Sequence, residues 1–312
     1  MLLANDENLY LSRIAQKLRG HLQQGAVQTL AGLGVFHCYH PQALHQVPLH
    51  QPGLVLVVSG VKQVYAESQT VQYQAGQLML FSAGCSVHIE NLPAAGSDYL
   101  ALAATFAPAL LERFVASYGS QLSLWSQPPL NKATGSLELL QSLSQWLDVS
   151  LSSQSSSLLQ DHRAQEILLL LSQRQLAGKI FSSQHPSWQQ KVSACLALDI
   201  SRDWRMEDVA AHFHCSDATL RRRLDQEQCS FRQLLEEVRL SCALGLLQEK
   251  SWPVLRVAQA VGYESASRFA ERFRLRFGIT PQVLRLTRQQ SPKLDAVSAK
   301  GETLSESGEL HL

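Results

Sequence analysis

Three consecutive arginines, Arg221 to Arg223, are the residues of this chain whose type and spacing suggest a definite chemistry. The planar guanidinium group donates paired hydrogen bonds to phosphate oxygens and to the O6 and N7 atoms of guanine. Between Ser187 and Gln290 the chain carries 16 Lys and Arg against 12 Asp and Glu, and 14 of the 16 basic residues are Arg. The remainder has 11 basic and 14 acidic residues. A polyanionic partner for the C-terminal part is therefore plausible, although a solvated helical surface could produce the same modest imbalance.

The elements that must position these arginines form a helix-turn-helix pattern that occurs twice. The apolar stripe of the first helix comprises Met206, Val209, Ala210 and Phe213. The chain then breaks at His214, and Ser216 can cap a second helix that carries the arginines. A long helix from about Phe231 to Lys250 follows, after which the pattern returns with a turn at Gly262. The inward residues of the second unit are Val254, Val257, Ala258, Val261, Phe269, Phe273 and Phe277.

In a DNA-reading unit of this kind the second helix lies in the major groove, and residues near its N-terminus reach the base edges. The candidates in the first unit are Ala218, Thr219, Arg221, Arg222 and Arg223. We expect Arg221 and Arg222 to contact guanine and Arg223 to contact phosphate. The candidates in the second unit are Ala266, Ser267, Arg268, Glu271 and Arg272.

The spacing of these residues continues into a longer signature. It consists of Arg239, Leu240, Ala243, Leu246 and Leu247, then Val257, Ala258, Val261, Gly262, Tyr263, Glu264, Ser265 and Ser267, then Phe269, Phe273, Phe277, Gly278, Ile279, Thr280 and Pro281. This stretch resembles the AraC/XylS family of bacterial transcription regulators. The resemblance implies a monomeric DNA-binding domain whose two recognition helices enter adjacent major grooves, roughly 34 Å apart.

The resemblance also assigns contacts by position. It places base contacts at Ala218, Arg221 and Arg222 in the first unit and at Ala266, Ser267, Arg268 and Glu271 in the second. Glu271 stands where the family often has an arginine, although its carboxylate could accept a hydrogen bond from cytosine. We therefore expect the first unit to supply most base readout and the second to contact phosphate through Arg268 and Arg272.

The N-terminal half has a different pattern, because short apolar runs alternate with turn signals from Gly25 to about Phe106. This spacing predicts a small β-sandwich or barrel. Two of its segments, 52–62 and 73–81, resemble the cupin-type effector domain found in many AraC-family regulators. The resemblance implies a small-molecule site in the barrel and a homodimer. The helices predicted between Pro108 and Leu176 suit the dimer interface, and the barrel is the alternative.

Alternation along neighbouring strands suggests a pocket for a small apolar or amphipathic effector. Its predicted lining is His37, Tyr39, Leu56, Val58, Tyr65 and Phe81. An equally open alternative is that these residues fill a small barrel without a cavity.

The predicted fold is a multidomain α+β protein. Residues 1–178 form a cupin-like barrel with trailing helices, and residues 179–187 form a linker. Residues 188–290 form an all-α DNA-binding domain with two helix-turn-helix units joined by a long helix, and residues 291–312 form a loose tail. A serine-rich connection is expected at 150–157.

Several protein classes are disfavoured. No apolar run approaches the 18 or so residues of a membrane span, and the N-terminus carries acidic residues where a signal peptide has basic ones. Six scattered cysteines without a C-x-x-C pair favour a reducing, cytoplasmic setting. The clustered His and Glu ligands of a metal-binding cupin are missing from the sequence, so neither a metal nor another cofactor is predicted.

These observations together predict a cytoplasmic, sequence-specific transcription regulator without catalytic residues, of the type that is most often an activator in this family. Its expected partners are double-stranded DNA, a small-molecule effector, a second copy of the chain and RNA polymerase. Two alternatives stay open: a cupin-fold enzyme fused to a DNA-binding module, and a helix-turn-helix protein that acts only in protein-protein interactions. Steep loss of DNA affinity with rising salt would separate a DNA binder from the latter.

Overall fold

The computed structural model describes residues 2–24, 30, 32–66, 69–121, 130–152, 156–181 and 187–289. The chain starts with helix α1 (Leu2–Gln23). The strands that follow are β1 (Leu33–Cys38), β2 (Gln42–Leu49), β3 (Gly53–Ser59), β4 (Val61–Ala66), β5 (Gln69–Gln74), β6 (Gln77–Phe81), β7 (Cys85–Leu92) and β8 (Tyr99–Thr105). Next come α2 (Pro108–Tyr118), β9 (Leu130–Thr134), α3 (Leu137–Leu151), α4 (Ser157–Gln173) and the short α5 (Gly178–Phe181).

The strands form two antiparallel sheets. The first has the order β1-β8-β3-β6-β9 and the second the order β2-β7-β4-β5. Strand β3 is buried on both faces, because Val55 and Val57 face the second sheet while Leu54 and Leu56 face the helices. This double burial explains why β3 is a continuous apolar run rather than an alternating one.

Helices α1, α3 and α4 cover the outer face of the first sheet. Their buried residues Leu18, Leu143 and Ile167 pack in one cluster with Leu56 of β3. Trp146 of α3 stacks on Phe106, with ring centroids 6.2 Å apart. Burying each such side chain stabilises the fold by about 1.5–3 kcal/mol relative to leaving it exposed.

Two parts of this domain differ from expectation. The helices predicted after Pro108 are interrupted by β9, which pairs with β6 in the register Met79↔Lys132. Its sequence, Leu-Asn-Lys-Ala-Thr, has no apolar periodicity, so only its position at the edge of the sheet gives it a partner. The predicted serine-rich connection begins inside α3, which continues to Leu151, and residues 153–155 lie outside the described residues.

The C-terminal domain is entirely helical within the described residues. It comprises α6 (Trp188–Ala197), α7 (Met206–His212), α8 (Asp217–Gln226), α9 (Phe231–Glu249), α10 (Val254–Ala260), α11 (Ala266–Phe277) and α12 (Pro281–Thr287). The helix pairs α7-α8 and α10-α11 are the two predicted helix-turn-helix units, and α9 is the long helix that joins them. The predicted α+β combination of a sheet domain with helices and a helical domain is confirmed.

The two helix-turn-helix turns have the same backbone geometry. His214 and Gly262 occupy equivalent positions with φ of 52° and 78°. In each turn the next backbone N–H donates to a carbonyl of the preceding helix, from Cys215 to Ala210 at 3.0 Å and from Tyr263 to Ala258 at 2.9 Å. Glycine adopts this left-handed conformation without the strain that His214 must accommodate.

The second helix-turn-helix unit and the sheet domain share a core. Leu244 of α9 and Phe277 of α11 lie in the same buried cluster as Val55 and Ile89 of the two sheets. The first unit instead has its own core around α6, with Leu220 and Leu234 buried. The boundaries of the predicted domains stay predictions, since residues 182–186 of the linker and the tail at 291–312 lie outside the described residues. None of the described helices has the length and apolar character needed to cross a membrane.

Candidate nucleic-acid interface and interdomain cavity

The first recognition helix, α8, presents its arginines on one side of a buried stripe. Leu220 and Leu224 are buried, whereas Ala218, Arg221 and Arg222 are exposed. The helix begins where the backbone N–H of Thr219 donates to Ser216 Oγ at 3.3 Å. No ion-pair partner is found for Arg221 or Arg222 within the described part of the chain, so both guanidinium groups are available to an external anion.

Arg223 has an internal partner instead. Its guanidinium carbon lies 4.1 Å from the centre of the Trp188 ring, at the start of α6. The backbone N–H groups of Trp188 and Gln189 both donate to the Glu227 carboxylate at 2.7 Å. Arg223 and Glu227 therefore hold the recognition helix against α6, and the phosphate contact predicted for Arg223 stays a prediction.

The second recognition helix, α11, exposes Ser267, Arg268 and Glu271, while Ala266 is half-buried. Arg272 is exposed but bound, because its Nη2 donates to Glu236 Oε2 of α9 at 2.7 Å and its Nε donates to Oε1 of the same carboxylate. This hydrogen bonding raises the pKa of Arg272. Arg268 and Arg272 are the two residues expected to contact phosphate in this unit. Among the described residues, Arg272 is bound to a carboxylate of the protein and Arg268 is not.

A largely apolar cavity of about 720 Å³ lies between the sheet domain and the C-terminal domain. Its apolar walls include Phe36, Val55 and Phe81 of the first sheet, Val115 of α2, and Val238 and Leu244 of α9. The polar residues at its surface include His50, Glu112, Ser193 and Ser241. A cavity of this volume is in the range that holds a small organic ligand.

The residues predicted to line an effector pocket are not brought together. Phe81 alone of the six lines this cavity. Leu56 and Val58 face the helices because alternate residues of β3 point to opposite sides, so that Val55 occupies the cavity wall instead. Tyr65 lies on the outer side of the second sheet, where its hydroxyl donates to Glu90 at 2.7 Å.

His37 and Tyr39 lie outside the cavity as well. His37 Nε2 is 3.2 Å from the Asp98 carboxylate, which also accepts two hydrogen bonds from Arg19. Burial opposes ionisation of Asp98, but these hydrogen bonds more than offset it and hold its pKa well below the ordinary value. Tyr39 packs edge-on against His37 and donates its backbone N–H to Thr287.

Lys62 is a buried lysine of the sheet domain. Its side chain is 2% exposed, and Nζ donates to Asn91 Oδ1 at 2.7 Å. Nζ also lies 5.5 Å and 5.6 Å from the ring centres of Phe36 and Tyr99. Burial lowers the pKa of Lys62 to about 7.

The cysteines and histidines give no sign of reactive or metal-binding chemistry in the described regions. The six cysteines all lie in the described regions and form no disulfide there, and burial raises the pKa of the Cys38, Cys195, Cys229 and Cys242 thiols. A raised thiol pKa disfavours the reactive thiolate. Within the described ranges no three His, Cys, Asp or Glu side chains form a group that could hold a metal ion.

Comparison with known proteins covers both halves of the chain. Residues 29–179 match the family model "AraC-type transcriptional regulator N-terminus", and residues 209–287 match a helix-turn-helix domain model. The HTH-type transcriptional activator FapR of Escherichia coli is 32% identical over 106 residues, which are 34% of this chain and 41% of FapR. The dual regulator Rns of Escherichia coli is 32% identical over 120 residues, 37% of this chain and 45% of Rns. The chain thus matches less than half of the length of these relatives.

Solved structures agree in fold over most of the chain. An apo form of ToxT from Vibrio cholerae superimposes with a TM-score of 0.60 at 14% identity, covering 82% of this chain and 97% of that one. ToxT with a bound unsaturated fatty acid gives a TM-score of 0.55, also at 14% identity, over 82% of this chain and 95% of that one. At this identity the likeness concerns the fold alone. With an AraC-type N-terminal region followed by two helix-turn-helix units like those of the E. coli activators, the chain belongs to the AraC family of bacterial transcription regulators.

Proposed function

We propose that this protein is a sequence-specific DNA-binding transcription regulator of bacteria that acts in the cytoplasm. The observation that carries the proposal is the pair of exposed guanidinium groups of Arg221 and Arg222 on the recognition helix of the first unit, neither of which has an ion-pair partner among the described residues. Arginines near the N-terminus of such a helix can read guanine in the major groove. Its curated relatives FapR and Rns are a transcriptional activator and a dual regulator, which favours activation.

We also propose that the interdomain cavity holds a small-molecule effector. Its walls come from the sheet domain and from α6 and α9 of the DNA-binding domain, so an occupant would contact both domains. A structural neighbour with the same fold, ToxT, has been solved with an unsaturated fatty acid bound. In this proposal the protein works by binding DNA and effector rather than by catalysis.

Two further partners belong to the proposal. The helices α2 to α4 beside the sheets suit a homodimer, and activation would bring the DNA-bound protein into contact with RNA polymerase. Neither partner is needed for the DNA-binding proposal, and each can be tested separately once a DNA site is known.

Selection of duplex DNA from a random pool tests the proposal. The full-length protein is expected to enrich one motif, and the Arg221→Ala/Arg222→Ala double variant is expected to lose that enrichment while retaining the unfolding transition of the wild type. Enrichment of the same motif by both proteins would show that these arginines do not determine which bases are recognised. Failure of the wild type to bind any duplex at low salt would favour the alternative of a protein-interaction module.

A further inference from the structure

We propose that the effector is an uncharged, mainly apolar molecule with one hydrogen-bonding oxygen, and that it binds with this oxygen at Ser193 and its apolar body against α9 at Gly245. This inference rests on the proposed function of the interdomain cavity and names the chemical class of its ligand. Three independent features of the cavity support it.

The first feature is a buried hydroxyl without a partner. Ser193 of α6 lines the cavity and is 5% exposed, and its Oγ has no hydrogen-bond partner within the described structure. Nearly all buried polar groups in folded proteins are hydrogen-bonded, because an unsatisfied one costs about 1–3 kcal/mol. The Oγ atom itself is closed off from the cavity in this rotamer, so rotation about the Cα–Cβ bond must turn it toward the cavity before an oxygen atom of a ligand can satisfy it.

The second feature is a helical glycine that lines the cavity. Gly245 lies inside the 19-residue helix α9 and lines the cavity, and a Cβ atom built there would meet nothing within 4 Å. Glycine inside a helix costs about 1 kcal/mol relative to alanine, although alanine would fit here. The missing side chain leaves room for a ligand to lie directly on the backbone of α9, between Val238 and Leu244 and the sheet.

The third feature is the charge of the cavity surface. Among the described residues that line it there is no Lys or Arg, and Glu112 is the one carboxylate. A smaller polar cavity of about 160 Å³ shares His50 and Ser193 with it and adds Glu237 and Arg276. Those two charges face each other, with Arg276 Nη2 3.5 Å from Glu237 Oε2.

The surroundings of His50 disfavour its charged form. Burial lowers its pKa, and although Glu237 opposes this effect and Arg276 adds to it, the net shift is downward. His50 Nε2 lies 3.1 Å from Ser241 Oγ, so a neutral ring has a partner there. Because an unpaired buried charge is costly, a carboxylate head would be penalised in this site, whereas a hydroxyl or carbonyl oxygen would not.

A matched set of probes tests the ligand class on the full-length protein without DNA. Decane, 1-decanol and decanoate share a ten-carbon chain and differ only at the polar end. We expect 1-decanol to raise the melting temperature, to slow alkylation of Cys242, which lines the cavity, and to bind at least tenfold more tightly than decanoate. Tighter binding of decanoate would overturn the uncharged class, and binding of none of the probes would overturn the site.

Two variants locate the ligand. Ser193→Ala should weaken 1-decanol about fivefold, the loss of one neutral hydrogen bond, and leave decane unchanged. Gly245→Leu should fill the cavity and abolish binding of both, while Gly245→Ala serves as the folded control. Unchanged 1-decanol binding in Ser193→Ala and in a folded Gly245→Leu protein would contradict the proposed location. Should Gly245→Leu not fold, the Ser193→Ala comparison decides alone.

A separate measurement keeps this inference distinct from the proposed function. DNA selection from a random pool is measured on the wild-type protein, and 1-decanol binding is measured on the wild-type and Ser193→Ala proteins. Probe binding that depends on Ser193 in a protein that selects no DNA sequence would support the ligand site and contradict the regulator proposal. DNA selection without binding of any probe would support the regulator proposal and contradict the ligand site.

Discussion

The arginines of the two recognition helices differ in whether the protein itself already binds them. Arg221, Arg222 and Arg268 are exposed and carry no ion pair in the described structure, whereas Arg223 stacks on Trp188 and Arg272 is bound by Glu236. The N–H groups of Arg272 must leave the Glu236 carboxylate before they can bind phosphate, whereas stacking on Trp188 leaves the N–H groups of Arg223 free to donate. Arg221, Arg222 and Arg268 have neither kind of partner among the described residues, so we expect them to contact DNA first.

Arg222→Ala should weaken binding to the preferred duplex by about 1–3 kcal/mol and relax base preference at one position. The reason is the loss of a bidentate contact that discriminates between bases. Fluorescence anisotropy with the selected duplex and its single-base variants measures both effects.

The matched control is Arg174→Ala, which removes the same side chain from the N-terminal domain, where Arg174 pairs with Glu138. It should leave DNA affinity unchanged. If Arg222→Ala weakens all sequences equally, Arg222 contacts phosphate rather than a base.

Lys62→Met should stabilise the protein more at pH 6 than at pH 9. Burial lowers the pKa of Lys62 to about 7 in the folded state, so between pH 7 and the higher pKa of the unfolded chain the unfolded state binds more protons. Wild-type stability therefore rises with pH in that window, and below pH 7 the full burial penalty is present. Urea unfolding of both proteins at the two pH values measures the difference, and an equal difference at both would contradict the account.

At the scale of elements, periodicity was a good guide to the C-terminal domain and a partial guide to the rest. The four-residue spacing of Phe269, Phe273 and Phe277 predicts α11, and all three are buried, with successive ring centroids 5.6 Å and 4.7 Å apart. The turn at His214 is predicted only by its place between two helices, since histidine gives no turn signal of its own. Strand β9 has no local pattern at all and depends on β6 for its hydrogen bonds.

Sequence periodicity is also a partial guide to the candidate sites. A short apolar run between turn signals identifies β3 as a strand, but it does not tell which of Val55 and Leu56 faces the cavity, because both faces are buried. The ion pair between Arg272 and Glu236 could not be predicted from the sequence either, because it joins two helices that meet only through tertiary packing. The sequence could predict which residues are candidates for the site, but it could not predict which residues they contact in the folded protein.

Arg268→Ala and Arg272→Ala should differ in their effect on the salt dependence of DNA binding. Loss of a phosphate contact reduces the slope of log K against log salt concentration by about one. We expect this reduction for Arg268→Ala and little change for Arg272→Ala, because Glu236 already neutralises Arg272. Equal reductions would mean that Arg272 leaves Glu236 when DNA binds.

At the scale of the whole molecule, the two domains are joined by a polar chain as well as by the shared core. Gln42 Nε2 of β2 donates to Thr287 Oγ1 of α12 at 2.6 Å, and Gln248 Nε2 of α9 donates to Gln42 Oε1 at 3.0 Å. All three residues are buried. Both this contact and the cavity arise from segments far apart in the sequence, which is why the sequence did not predict that α6 and α9 contribute to the wall of a cavity.

Thr287→Val should lower the free energy of unfolding by about 1–3 kcal/mol. Valine keeps the shape of threonine but removes the hydroxyl, so the buried amide of Gln42 loses its acceptor. Thr287→Ser retains the hydroxyl and should be closer to the wild type. Urea unfolding compares the three proteins, and identical behaviour of the Val and Ser variants would show that this hydrogen bond does not couple the domains.

The central claim is that the two helix-turn-helix units read a DNA sequence rather than merely attract a polyanion. The most direct measurement is the ratio of dissociation constants for the selected duplex and for a scrambled duplex of equal length at one physiological salt concentration. We predict that the full-length protein binds the selected duplex at least about 10³-fold more tightly. A ratio near one, with both affinities falling steeply as salt rises, would contradict sequence-specific recognition.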